Sequence, residues 1–131
     1  MKRQASMSPD KPRDLCIRTF QFSKEVVTFC LSISQKSAAG RQLSTQLMRS
    51  ATSVGANAEE ARAAFTRREF ACKNSIVLKE AREARFWLRL IAANKLSTAE
   101  AIEPLLREVN ELVGIYTATV RRARLPLKLE T

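Results

Sequence analysis

The side chains of this sequence that could do chemistry are its acids, its cysteines and its many cations, because the chain has no histidine. Without histidine, Ser-His-Asp and Cys-His catalysis are excluded, and so is a Glu-x-x-His di-metal site in a helical bundle. The sequence also has no glycine-rich phosphate loop. We therefore expect no catalytic residues, and we predict that the protein is not an enzyme.

Two pairs of acidic residues are the remaining candidates for a metal site. They are Glu59 with Glu60 and Glu80 with Glu83. If Glu59 and Glu80 faced each other in the core, their oxygens could bind a metal ion. Pairing with arginines is the interpretation that we favour, because buried carboxylates need charged partners. The arginines nearby are Arg49, Arg62 and Arg85. We accordingly predict no bound metal and no cofactor.

The chain is strongly basic, with 23 Lys and Arg against 13 Asp and Glu and a net charge of +10. Such an excess favours a polyanion or an anionic surface as the partner. Four cations of the third helix, Lys79, Arg82, Arg85 and Arg89, are spaced by three, three and four residues and so share one strip. Two interpretations of this cation strip stay open. The strip contacts phosphates of RNA or DNA, or it is a solvated face that Glu80 and Glu83 partly neutralise. The predicted nucleic-acid-binding residues are Arg67, Arg68, Lys79, Arg82, Arg85, Arg89, Arg121, Arg122 and Arg124.

The three cysteines are Cys16, Cys30 and Cys72. They are isolated and odd in number, so we expect no disulfide framework and a reducing, cytoplasmic location. We predict that all three are small buried apolar residues. No apolar run approaches the roughly 20 residues of a membrane span, and no signal peptide follows the basic start.

Apolar periodicity predicts four helices that position these groups. The chain has few glycines and prolines and 45% hydrophobic residues, a composition that favours helices over strands. The helices are expected at roughly residues 14–35, 41–64, 67–93 and 98–123. We predict an all-α protein, an up-down antiparallel four-helix bundle spanning about residues 14–124. A basic tail (1–13) and a C-terminal tail (125–131) flank the bundle.

The third helix has a well-marked start. Thr66 and Glu69 have the spacing of a capping box, and Phe65 and Phe70 stand where they form a hydrophobic staple. The tight corner before this helix predicts that the second and third helices are antiparallel neighbours.

The first and fourth helices carry weaker boundary signals. Asp14 is a plausible N-cap of the first helix, and Ser97 with Glu100 forms a second capping box. Pro104 either kinks the fourth helix or begins its main part. Pro126 is expected to end that helix.

The second helix has helical periodicity but few large side chains. Its expected core positions are Leu47, Ala51, Val54, Ala58 and Ala61. Gly55 costs about 1 kcal/mol relative to alanine in a helix, so we expect another backbone to approach it closely. The predicted helix-packing motif comprises Arg49, Ser50, Ser53, Gly55, Asn57, Glu59 and Glu60.

Two stretches are more apolar than one face of a bundle requires. The first helix has a second apolar stripe, and the third is apolar nearly all round from Phe86 to Ile91. Burial by a neighbouring subunit would explain both. The predicted oligomer-interface residues are Phe20, Val27, Phe86, Trp87 and Leu90.

Seven segments between about residues 13 and 124 match the sequence pattern of one known protein family. They are residues 13–15 (RDL), 18–20 (RTF), 46–61 (QLMRSATSVGANAEEA), 69–70 (EF), 79–83 (KEARE), 86–90 (FWLRL) and 108–113 (EVNELV). In these segments and its basic C-terminus the chain resembles the bacterial four helix bundle protein family, also called the ribosomal-RNA intervening-sequence protein family. Cys16 and Cys30 depart from the expected residues.

The resemblance implies an up-down four-helix bundle that assembles into a homo-oligomer, commonly a pentameric ring. Some members are encoded inside insertions in large-subunit ribosomal RNA genes. Related proteins are accessory factors of diversity-generating retroelements, in which a basic pentameric barrel binds nucleic acid and a reverse transcriptase.

Two functions stay open at this point. The first is a non-enzymatic homo-oligomer that binds RNA or DNA phosphates through a basic surface. The alternative is a protein-interaction scaffold or accessory factor without direct nucleic-acid binding. The expected partners are further copies of the chain, RNA or DNA, and a protein such as a reverse transcriptase, with no membrane.

Overall fold

The computed structural model describes the backbone of residues 12–129 and the side chains of residues 14–124. Its four α-helices are α1 (Pro12–Ile33), α2 (Ala38–Arg62), α3 (Arg67–Ala93) and α4 (Ala99–Leu129). No strand occurs in this part of the chain. Helix α2 packs on α1 and α3, and α3 packs on α4, whereas α1 and α4 touch least. The predicted all-α four-helix bundle is confirmed, and short connections make successive helices antiparallel.

The core is built from the apolar stripes of all four helices. Its fully buried large side chains include Phe22, Val26, Ile33, Leu47, Val54, Val77, Leu88, Ile91, Val109, Leu112 and Tyr116. Burial of each such side chain contributes about 1.5–3 kcal/mol. Burial also raises the pKa of the Tyr116 phenol well above its usual range, so the ring remains neutral.

A regular ladder of hydrogen bonds joins α1 to α2. Three small side chains of α1, seven residues apart, donate to backbone carbonyls of α2 that are also seven residues apart. The pairs are Cys16 Sγ to Ala58 O (3.5 Å), Ser23 Oγ to Ala51 O (2.9 Å) and Cys30 Sγ to Ser44 O (3.5 Å). A seven-residue repeat keeps one seam of each helix facing its antiparallel partner. Small side chains along that seam let the two backbones approach closely.

Gly55 lies on this seam and confirms the predicted close approach. A Cβ atom at position 55 would lie 2.6 Å from the Ser23 hydroxyl oxygen and 3.3 Å from the Thr19 carbonyl oxygen. Ser23 Oγ donates to the carbonyls of Thr19 and Ala51, each at 2.9 Å, so it is held where the Cβ would stand. The glycine therefore makes room for a hydrogen bond between helices.

Some of the other residues of the predicted helix-packing motif are buried, and others are exposed. Ser50 is buried and donates to Leu47 O, and half-buried Asn57 donates to Ser53 O. The side chains of Arg49, Glu59 and Glu60 are exposed, so they do not pack between helices. Both glutamates fall on α2 positions that face solvent.

The start of α3 agrees with the predicted cap but not with the predicted staple. Thr66 Oγ1 accepts from Glu69 N–H at 3.0 Å, and Glu69 Oε1 accepts from Phe65 N–H at 2.9 Å. The Phe65 ring is 95% exposed, so the staple prediction is wrong. Phe70 instead lines a small internal gap with Leu15 and Tyr116, away from Phe65.

Helix α1 begins earlier than predicted, at Pro12, so Asp14 lies in its first turn and is not its cap. Asp14 is buried, and its Oδ2 has no hydrogen-bond partner in the structure as described. Helix α2 also begins earlier, at Ala38, because Ser37 Oγ accepts from Gly40 N–H at 2.9 Å. Apart from Pro12 and Arg13, the predicted basic tail lies outside the described residues.

Helix α4 differs from prediction at both ends. Its cap is Thr98, whose Oγ1 accepts from Ala101 N–H at 3.2 Å, so Ser97 and Glu100 form no capping box. Pro104 lies inside the helix, and the helix continues through Pro126 to Leu129. The predicted end at residue 123 is therefore wrong, and residues 125–129 are helical. Each proline lacks a backbone N–H and so leaves one carbonyl of the helix without its usual donor.

One ion-pair group bridges α1 and α4, the two helices that touch least. Arg18 donates to both carboxylate oxygens of Glu108, at 2.8 and 2.9 Å, and also to Glu111. The hydrogen bonds that Arg18 donates to Glu108 and the neighbouring negative charges raise the pKa of the Arg18 guanidinium. Bidentate pairing fixes geometry as well as charge, so this group closes the open side of the bundle.

Candidate nucleic-acid interface

Helices α3 and α4 enclose a groove of about 310 Å³. We call it the basic groove. Two apolar residues, Leu78 and Val120, form its floor, and Ser75 and Thr117 lie along its walls. The four cations that line it are Lys79, Arg82, Arg121 and Arg124.

Antiparallel packing of α3 and α4 produces this arrangement. Lys79 and Arg82 follow the buried Leu78 by one and four residues, so both lie beside it on the side of α3 that lines the groove. Arg121 and Arg124 follow Val120 in the same way on α4. Each helix therefore places its cations beside an apolar residue that contacts the other helix.

The charge of the basic groove is not neutralised within the described structure. All four cations are exposed, no carboxylate lines the groove, and none of the four forms an ion pair there. The Ser75 and Thr117 hydroxyls donate to carbonyls of their own helices, at 3.0 and 2.7 Å. Four like charges around one depression repel one another, and a bound anion relieves that repulsion.

The other predicted basic residues lie outside the groove. Arg85 Nη1 donates to Asn110 Oδ1 at 3.3 Å, which bridges α3 and α4. Arg89 is exposed farther along α3, and Arg122 is exposed on α4. Arg67 and Arg68 are exposed in the first turn of α3, at the end of the bundle where α4 also ends.

The acidic residues do not form the candidate metal site. Glu60 pairs with Lys73 at 3.7 Å rather than with the arginines that we predicted. Glu83 accepts from the Trp87 indole N–H at 3.2 Å, and Glu59 is exposed. Within the described residues, no group of three or more Cys, Asp or Glu side chains is arranged to hold a metal ion.

Two of the three cysteines are buried, as predicted, but Cys72 is exposed on α3. The prediction for Cys72 is wrong because its helical position faces away from α2 and α4. Burial raises the pKa of Cys16 and raises that of Cys30 to about 11, so both remain thiols at neutral pH. These neutral S–H groups are two of the three donors of the α1–α2 ladder.

The predicted oligomer-interface residues lie in two separate places. Phe20 is 63% exposed and, with half-buried Val27, lines an apolar groove of about 500 Å³ between α1 and α2. Phe86 is 51% exposed on α3, where Trp87 and Leu90 are half-buried. The Phe86 and Trp87 rings meet edge to face, with centroids 5.0 Å apart.

Comparison with known proteins agrees with this architecture. The family model described as 23S rRNA-intervening sequence protein matches residues 14–118. The chain belongs to this family. A similar solved structure is the 1.70 Å crystal structure of a protein of unknown function from the S23 ribosomal protein family of Bacteroides thetaiotaomicron. That protein is 29% identical in sequence to this chain, and the two structures superpose with a TM-score of 0.70. The match covers 80% of this chain and 96% of that chain.

No functionally curated protein matches the chain. The family match includes Lys79 and Arg82 of the basic groove but ends before Arg121 and Arg124. Half of the groove's cations therefore lie beyond the part of the chain that defines family membership. Within the described residues, no helix is long and apolar enough to cross a membrane.

Proposed function

We propose that this protein is a non-enzymatic nucleic-acid-binding protein whose basic groove holds the phosphate backbone of RNA or DNA. The observation that carries the proposal is the convergence of Lys79, Arg82, Arg121 and Arg124 on one groove without a carboxylate in its lining. Phosphate oxygens fit such a site because Arg and Lys donate charge-assisted hydrogen bonds to them. Contacts to phosphates carry no sequence information, so we expect binding with little sequence preference.

The family supports RNA as one ligand, because its description refers to an intervening sequence of 23S rRNA. We also propose that the protein forms a homo-oligomer, with a pentameric ring as the state that the family resemblance implies. A partner protein such as a reverse transcriptase would then bind the assembled ring. We propose a cytoplasmic location as well, which an RNA ligand and three free cysteines would both suit.

Replacing all four cations of the basic groove with glutamine tests the proposal. Affinity for an RNA or DNA strand should fall at least about tenfold at low salt. The slope of log affinity against log salt should become shallower by about 3, since each phosphate contact on a single strand contributes about 0.7. Fluorescence anisotropy between about 50 and 200 mM salt measures both quantities.

A matched control separates the groove from net charge. Lys24, Lys36, Arg41 and Arg49 are exposed cations of α1, α2 and their connection. Replacing these four with glutamine removes the same charge but should leave the salt slope nearly unchanged. Equal effects of the two quadruple variants would contradict a localised site, and wild-type protein that binds no strand at low salt would refute the function.

The exposed apolar surface of α1 favours a second candidate function, that of a protein-interaction scaffold. Ile17 and Phe20 are 50% and 63% exposed beside the α1–α2 apolar groove. An exposed apolar patch next to a groove is typical of protein–protein contact. In this candidate function the oligomer acts by holding partner proteins together, and the basic residues keep the protein soluble.

Phe20→Asp tests whether this face joins subunits. If it does, light scattering should show a smaller particle than the wild type, because a buried charge is costly to desolvate. Leu31→Asp is the matched control, since Leu31 is also 63% exposed on α1 but does not line the groove. Wild-type protein that is a monomer, or identical masses for all three proteins, would rule out this face as the interface.

A further inference from the structure

An exposed aromatic ring lies within the cation strip of α3. Lys79, Arg82, Phe86 and Arg89 follow one another at intervals of three, four and three residues, which is the spacing of a single helix face. All four side chains are exposed. The strip spans about 15 Å of helix axis, so the Phe86 ring stands between two guanidinium groups.

The Phe86 ring is also held in place. Its edge contact with Trp87 has a centroid separation of 5.0 Å and an interplanar angle of 73°. Trp87 is fixed in turn by its hydrogen bond to Glu83 and by packing against the core. Phe86 therefore presents a fixed aromatic surface to solvent, and little side-chain freedom is lost when a ligand covers it.

We propose that Phe86 is a base-stacking residue and that the ligand of this surface is a single strand, or an unpaired segment, of RNA or DNA. An unpaired base stacks on the Phe86 ring while Arg82 and Arg89 contact the phosphates on its two sides. The strand then continues into the basic groove, which Lys79 and Arg82 share with the strip. This inference rests on the proposed function and adds the strandedness of the ligand.

Charge complementarity favours this ligand over a second protein surface. The Phe86 ring is flanked by Arg82, Arg85 and Arg89, and covering it with protein would desolvate these cations as well. A nucleic-acid strand offers a phosphate to each cation and an aromatic base to the ring. Proteins that bind single strands without sequence preference combine these same two elements.

The test uses full-length protein with three variants at position 86, and compares strand types. The probes are fluorescein-labelled oligonucleotides of about 12 nucleotides, as single-stranded RNA, single-stranded DNA and the matching duplexes. Phe86→Ala and Phe86→Leu should lose about tenfold in affinity for the single strands, whereas Phe86→Tyr should retain it. Affinity for the duplexes and the salt slope should stay unchanged, because Phe86 contacts no phosphate.

Phe65→Ala is the matched control, since Phe65 is an exposed phenylalanine away from the strip. The inference is overturned if Phe86→Leu binds single strands like the wild type, or if it weakens duplex binding equally. A smaller particle in light scattering for Phe86→Leu would assign the ring to a subunit contact instead. If the four-glutamine variant of the basic groove loses binding while Phe86→Leu does not, the result supports phosphate binding by the groove and contradicts base stacking on Phe86.

Discussion

Gly55→Leu is expected to destabilise the bundle by about 3 kcal/mol, because the α1–α2 seam has no room for a side chain at this position. Even a single Cβ atom would lie 2.6 Å from Ser23 Oγ. A leucine side chain would in addition push against the Thr19 carbonyl and separate the two helices. Urea unfolding followed by circular dichroism measures the loss.

Two alanine substitutions extend this prediction, one at Gly55 itself and one at Gly114. Gly55→Ala should also destabilise, and Ser23→Ala should partly rescue it by removing the oxygen that the new Cβ meets. Gly114 on α4 has no atom within 4 Å of the equivalent Cβ position, so Gly114→Ala should stabilise by up to about 1 kcal/mol. If both alanine variants gain stability, helix propensity outweighs the seam contact and the packing argument is wrong.

Leu88→Ala should cost between about 2 and 5 kcal/mol, because Leu88 is fully buried and alanine leaves a cavity in the centre of the bundle. Leu88→Met keeps the volume and should cost less than about 1.5 kcal/mol. Phe86→Ala changes a residue two positions earlier that is 51% exposed, so its effect should be much smaller. The midpoints of urea unfolding compare the stabilities of the three variants, provided that the slope of unfolding free energy against urea concentration is the same for all.

The same stability measurements show whether the Phe86 variants of the binding experiment are folded. If Phe86→Ala unfolds as readily as Leu88→Ala, the ring is a structural residue and its variants cannot report on a ligand. A stable Phe86→Ala protein, by contrast, leaves the α3 surface intact apart from the ring. Stability and strand affinity should therefore be measured on the same preparations.

Helix number and the central role of α2 were predictable because the information is local. Periodic apolar residues define each stripe, and Thr66 with Glu69 marks the start of α3 within four residues. Terminal residues were harder to predict. Ser37, Thr98 and the helical residues after Pro126 show that neighbouring candidates for a cap or a stop look alike in sequence, and packing of the whole bundle decides among them.

Side-chain exposure was the property that the sequence left least determined. Phe65 and Cys72 were predicted to be buried or packed, and both are exposed. The stretch from Phe86 to Ile91 is apolar nearly all round, so periodicity does not say which side faces the core. The structure assigns Leu88 and Ile91 to the core and leaves Phe86 at the surface.

The sequence by itself determined that this protein is a basic, all-helical chain without histidine, since composition and periodicity need no knowledge of distant contacts. Only the tertiary structure decided which cations act together. Lys79 and Arg82 lie far along the chain from Arg121 and Arg124, and the antiparallel register of α3 and α4 brings them into one groove. That register depends on how apolar side chains from both helices pack, which is a property of the pair and not of either sequence segment.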